Sequence, residues 1–207
     1  MSQLVLTSDT LAVTPTAGAF EYASPIIAAT PIGTQRGVVP TSQFYRLDSA
    51  LAGANVNTAQ SLFGVGCTLS ASTVYEFELV FAITKTAGTT SHTIGVGFGG
   101  TATVNNFYAN GFYNNSTTST PTTTSNSASV VMTSASNIVL TGAITSAAEY
   151  LMLTLRGAVS INAGGTFIPQ YTLSAAPGGA YSTLASSFIR IAPISASGAA
   201  TNVGTWA

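Results

Sequence analysis

Cys67 and His92 are the sole thiol and imidazole among 207 residues, and together such groups can make a nucleophile and its base. Cys67, however, shares an alternating apolar face with Phe63, Val65 and Leu69, where an inert, packed thiol is the ordinary outcome. His92 opens a β-like run and is expected to cap it or to join an interface. Glu76 and Glu78 are spaced i, i+2, which puts both carboxylates on one face of a strand. Such a pair could do acid–base work, but it has no third acidic neighbour in sequence and supplies too few oxygens for calcium. A solvated or interface-facing edge is the expected role. The glycine run Gly95-Val96-Gly97-Phe98-Gly99-Gly100 lacks the helix start that phosphate loops require, because Thr101 to Val104 is β-like. These glycines are expected to permit close backbone approach instead. No catalytic residue, cofactor or metal ligand is assigned.

Composition points the same way. Five Lys plus Arg and six Asp plus Glu leave a formal net charge of −1, and charged residues make up 5% against 46% hydrophobic. Ordinary soluble domains carry about a quarter charged residues. Disordered chains combine low hydrophobicity with high charge, which is the reverse of this balance. There is no basic footprint for nucleic acid, and no apolar run long enough for a spanning helix. Met1 to Thr7 lacks the basic and long apolar regions of a secretory signal, so no membrane insertion is expected. Ser and Thr together supply roughly a quarter of the chain, polarity without ionisation well above ordinary usage. A surface so poor in charge tends to associate. The four arginines, Arg36, Arg46, Arg156 and Arg190, are expected to pair with Glu21, Asp48, Glu76, Glu78 or Glu149. Arg36, Arg46, Glu76, Glu78 and Arg156 are the interface candidates.

The elements that must position these residues are strands. Between Thr73 and Lys85, Tyr75, Phe77, Leu79, Phe81 and Ile83 alternate with more polar positions, the period of a half-buried strand. Tyr150 to Ile161 repeats the pattern through Leu151, Leu153, Leu155, Val159 and Ile161, with a bulge expected at Gly157. His92 to Phe98 and Phe63 to Leu69 give two more. Thr41–Leu47, Ser129–Thr133, Asn137–Thr141, Thr166–Leu173, Ser186–Ile194 and Gln3–Thr7 are weaker. No helical stripe is present. The fold class expected is all-β: an antiparallel, jelly-roll-like β-sandwich over residues 41–207. Pro15, Pro25, Pro31 and Pro40 interrupt regular structure, so residues 1–40 are expected as an extended N-terminal arm. The Asn114 to Ser127 run reads as an exposed loop, with Tyr108, Phe112, Tyr113, Asn114 and Asn115 at an exposed tip.

Leu6-Thr7-Ser8-Asp9-Thr10, Thr14 to Tyr22 and Arg36-Gly37-Val38-Val39-Pro40 resemble an N-terminal pattern of bacteriophage tail-fibre and accessory virion proteins, often from marine phages. Leu69 to Glu78, followed by Thr86 to Thr93, is similar to a β-sandwich module of the same kind of protein. The resemblance covers roughly the first half of the chain. It implies a non-enzymatic structural protein, homotrimeric, made in the host cytoplasm and carried on the capsid exterior or a fibre. Its partners would be its own copies and virion proteins such as the major capsid protein. Without a heptad or triple-helical repeat for a long shaft, a capsid decoration or head-fibre subunit is the leading expectation. The alternative is a tail-fibre adhesin whose tip aromatics and amides contact host glycans. An ice-binding surface would need a regular Thr-x-Thr ladder that the chain lacks.

Overall fold

The computed structural model describes residues 4–33, 35–118 and 126–195. Regular structure among them is entirely β. The chain begins with a three-stranded antiparallel meander, β1 (Phe20–Ala23), β2 (Ile26–Ile32) and β3 (Gln35–Val39), in the order β1-β2-β3. Short strands β4 (Gln43–Arg46), β5 (Leu51–Ala52), β6 (Gln60–Ser61) and β7 (Cys67–Leu69) lead into the long β8 (Thr73–Lys85). There follow β9 (Ile94–Gly99), β10 (Thr103–Ser116), β11 (Asn126–Met132), β12 (Ile138–Val139), β13 (Glu149–Ala163), β14 (Gly165–Leu173), β15 (Ser182–Thr183) and β16 (Phe188–Ser195).

Two antiparallel sheets pack as a sandwich. The large one runs β11-β10-β13-β8, after which β8 continues to β16 and β4 along one stretch and to β15 and β5 along another. The smaller one runs β12-β9-β14, with β6 and β7 on the far side of β14. The odd-numbered residues of β8 and β13 face inward: Tyr75, Phe77, Leu79, Phe81 and Ile83 pack beside Leu151, Leu153, Leu155, Val159 and Ile161. Phe77, Phe98, Phe107 and Phe167, from β8, β9, β10 and β14, join the sheets through ring contacts, with Phe98 stacked on Phe167 at 4.7 Å. Phe77, Phe107 and Phe167 are buried, and a ring so placed contributes about 1.5–3 kcal/mol by removal of apolar area from water.

The glycine run in β9 is a packing device, as expected. A side chain at Gly95 or Gly97 would collide with Asn137 at 2.6 or 2.9 Å, so their bareness lets residues 135–138 lie directly over the strand.

Three expectations need correction. Residues 20–39 are not an extended arm, because the prolines fall at turns or strand ends and leave β1 to β3 free to pair. Arg36 Nε meets Glu21 Oε2 at 2.8 Å within this meander, and Ile26, Ala28 and Thr30 of β2 are buried. Gly157 is not a bulge: β13 stays in continuous register there with β8 and β10, and its missing Cβ admits the backbone of Tyr108 and Ala109. Lastly, Tyr108, Phe112, Tyr113, Asn114 and Asn115 do not form a loop tip. They lie within β10, which pairs along its length with β13 and through Ala109–Asn115 with β11. Of the run expected as a loop, residues 119–125 lie outside the described residues, as does part of the Gln3–Thr7 run, whose described remainder is not strand.

Candidate functional site

Two clusters of ionisable side chains are built around the same pair of strands, β8 and β13. Lys85 ends β8 and Glu149 begins β13, directly opposite each other in register. Both continue the inward-facing alternation, so both are drawn into the sandwich, 2% and 0% exposed. Lys85 Nζ donates to the carbonyls of Gly88 (2.8 Å), Ser146 (2.5 Å) and Ala147 (3.4 Å). With three donors so used, it meets Glu149 Oε1 as a charge, at 2.9 Å. The other carboxylate oxygen accepts from the Tyr181 hydroxyl and lies 3.3 Å from His92 Nε2. His92 Nε2 is also 2.8 Å from the Tyr181 hydroxyl, and Nδ1 lies 2.7 Å from the Thr90 carbonyl. A carbonyl only accepts, so Nδ1 carries a proton.

Burial pushes the Tyr181 hydroxyl far above the ordinary tyrosine range, and its hydrogen bond to Glu149 adds to this. Tyr171, 6.2 Å away ring to ring, is raised by burial to about 12. Its hydroxyl has no hydrogen-bond partner among the described residues and faces Gly53, where any side chain would strike it. The cluster contains the residue types of an acid–base centre, yet Lys85, His92, Glu149, Tyr171 and Tyr181 are all at most 2% exposed. Their side chains lie out of contact with solvent. The arrangement is a buried polar plug in one end of the core, in which the Tyr171 hydroxyl alone among these side chains makes no contact with a polar partner among the described residues.

Cys67 and His92 are not brought together. Cys67 pairs with Phe167 near the start of β14, while His92 lies beyond Ile94, the partner of Leu173 at its end. Six residues of strand separate the two levels, about 20 Å. Cys67 Sγ donates to Gln43 Oε1 at 2.7 Å, and burial raises its pKa, which suppresses the thiolate.

The second gathering is on the outer face of the large sheet. Register aligns Asn110, Arg156, Glu78, Arg190 and Phe44 in one row across β10, β13, β8, β16 and β4. Glu78 holds both arginines: Arg156 Nη2 at 2.5 Å and Arg190 Nε at 2.9 Å. Arg36 pairs with Glu21 and Arg46 with Asp48. All five cations of the chain therefore have a carboxylate partner within it, and Glu76 forms no ion pair among the described residues. Arg36, Arg46 and Arg156 thus take intrachain partners drawn from the expected carboxylates.

Between the charges, this face mixes aromatic and amide side chains. The even residues of β10 point outward as Asn106, Tyr108, Asn110, Phe112 and Asn114, with Tyr108 57% and Phe112 70% exposed. The odd ones turn inward, so Tyr113 is half-buried and its hydroxyl donates to the Leu140 carbonyl. Asn115 is likewise half-buried, while Asn114 accepts from the Ser127 hydroxyl. At the opposite edge, Phe44 stacks on Phe188 with centroids 5.6 Å apart. Tyr45, Phe63 and Val65 line an adjoining groove of about 190 Å³ with Cys67 at one side.

Sequence reasoning missed the buried plug. The signal was present: one more step of each alternation, from Ile83 to Lys85 and from Leu151 back to Glu149, puts both charges inside. Compared with family models, curated proteins and solved structures, the chain matches none.

Proposed function

We propose that this protein is a non-enzymatic structural component of a phage particle, a self-associating β-sandwich, trimeric in its working form, that decorates the capsid surface or forms part of a head fibre. The observation that carries the reading is the edge around β4. Phe44 and Tyr45 stand 59% and 42% exposed beside Val65 at 47%, next to the apolar groove, on a chain whose cations are all internally paired. Apolar surface of this kind loses free energy when it meets its like. Paired charges set no long-range repulsion against that meeting. The sealed acid–base residues support a role in packing over one in turnover. The resemblance of residues 6–10, 14–22, 36–40, 69–78 and 86–93 to tail-fibre and accessory virion proteins supports the location.

Sedimentation of the purified protein at micromolar concentration is expected to give three times the protomer mass, and Phe44→Asp to give monomer with an unchanged β spectrum. A wild-type monomer would sink the reading. Removal of residues 1–40 is expected to abolish attachment to particles while leaving the sandwich folded. Retention of the truncated protein on particles, scored by imaging, would assign attachment elsewhere.

A further inference from the structure

We propose that the β10 side of the large sheet carries a binding cleft for a neutral saccharide, with Asn105, Asn106, Tyr108 and Thr133 as its contacts. The inference goes beyond the structural role above and does not depend on it.

The cleft begins with an irregularity. Val104 pairs with Ile161 and Asn106 with Ser160, which leaves Asn105 as an extra residue on β10. A bulge of this kind re-aims side chains, and Asn105 and Asn106 are consecutive yet both exposed. They open onto a depression of about 380 Å³ that Phe107, Tyr108, Thr133 and Ala158 also line. That volume falls at the lower end of small-ligand sites. Two carboxamides offer four N–H donors and two carbonyl acceptors, and Thr133 adds a hydroxyl that does both, which matches a ring bearing several hydroxyls. Tyr108 supplies an exposed aromatic face for the C–H side of a pyranose, and the small Ala158 leaves the space beside it open. Along the strand, Asn110 and Phe112 repeat the amide–aromatic pair, with Tyr108 and Phe112 about 13 Å apart. A chain of sugars could follow this row.

Charge decides the class of sugar. No ionisable side chain lines the depression except the tyrosine. Arg156, the cation on the neighbouring strand, is held by Glu78 on the side away from β10. Glu76 lies in register with Ala158 and Tyr108, two strands across, about 10 Å. An anionic sugar would meet that carboxylate and no free cation, whereas a neutral one meets no opposing field. The β4 edge lies four strands from β10, roughly 19 Å, so self-association there leaves the cleft open.

The probe is an array of neutral hexose and N-acetylhexosamine oligosaccharides with sialylated counterparts, followed by calorimetry on the best neutral oligosaccharide. Wild-type protein is expected to retain neutral members over their sialylated forms. Tyr108→Ala, and separately Ala158→Gln, which fills the cleft without charge, should each weaken binding at least tenfold. Tyr108→Phe should keep most of it. Sedimentation of the same samples reads the oligomer independently. Absence of retained neutral glycan, equal retention of sialylated ones, or variants that bind as wild type would each overturn the proposal. So would loss of the oligomer in Tyr108→Ala, since the cleft would then be a subunit contact.

Discussion

Strands β8 and β13 hold two ion clusters of similar composition on opposite faces. Lys85 and Glu149 meet inside the sandwich, while Glu78 and Arg156 meet on its outer face. The contacts are similarly short, so distance does not distinguish them. Solvent does. Inside, each charge has lost its hydration and depends on its partners. Outside, the Arg156 side chain is 69% exposed, and water and salt supply most of what the ion pair would. The comparison teaches that the inner charges depend on one another, whereas the outer cluster, with water at its two arginines, is expected to add little to stability and is free to shape a surface.

The largest expected effect comes from breaking the inner pair on one side only. Glu149→Leu leaves the Lys85 ammonium without its counter-charge in a sealed site and should cost about 3–5 kcal/mol in denaturant unfolding, the usual penalty for an orphaned buried charge. Adding Lys85→Met should recover much of that loss, because two apolar side chains of similar length need no partner. A double variant as unstable as the single would mean that the carbonyl cage, and not charge pairing, sets the energy. Tyr181→Phe comes next. It removes the hydroxyl that contacts both Glu149 and His92 and should cost about 1–3 kcal/mol for the groups left unsatisfied.

The two buried tyrosines sharpen the comparison through pH. Burial raises Tyr171 to about 12 and Tyr181 higher still, whereas an unfolded tyrosine ionises near 10. Below about pH 10 both folded and unfolded states keep these protons, so the contribution to stability is fully present. Between about 10 and 12 the unfolded chain releases them first, and stability should fall as pH rises. Urea midpoints at pH 9 and pH 11.5 measure the fall, and Tyr181→Phe should flatten part of it. Equal midpoints in the wild type would mean that the hydroxyls reach solvent.

How much of this was legible in the sequence depends on how differently a strand's two faces are made. β8 carries large apolar side chains on one face and Glu76, Glu78 and Thr84 among those on the other, so its period of two was plain and its bounds were read correctly. β13 was legible for the same reason. β10 was not: its outward face bears Tyr108 and Phe112, its inward face bears Gly111 and Asn115, and four asparagines nearby suggest turns. Alternation vanishes when both faces are mixed, and the missed strand is the one with the most exposed aromatic row. The meander β1 to β3 was hidden by prolines, since a turn or strand end tolerates them as well as an irregular arm does. Long-range pairing, such as Lys85 with Glu149 across 63 intervening positions of chain and loop, becomes visible only once register is known.

The outer cluster gives the smallest effect and the finest test. Arg156→Ala removes one of two cations from Glu78, and Arg190 remains 2.9 Å away to hold that carboxylate. The loss should be within about 1 kcal/mol and should shrink further as salt rises toward 1 M, where the screening length is about 3 Å. The inner Glu149→Leu loss should hardly change with salt. If Arg156→Ala leaves stability alone yet lowers the sedimenting mass, the outer pair serves assembly, because an interface desolvates the pair that water otherwise relieves. If neither stability nor mass moves, the row from Asn110 to Arg190 is not a contact between copies. The proposed self-association would then rest on the apolar edge at Phe44 and Tyr45 alone.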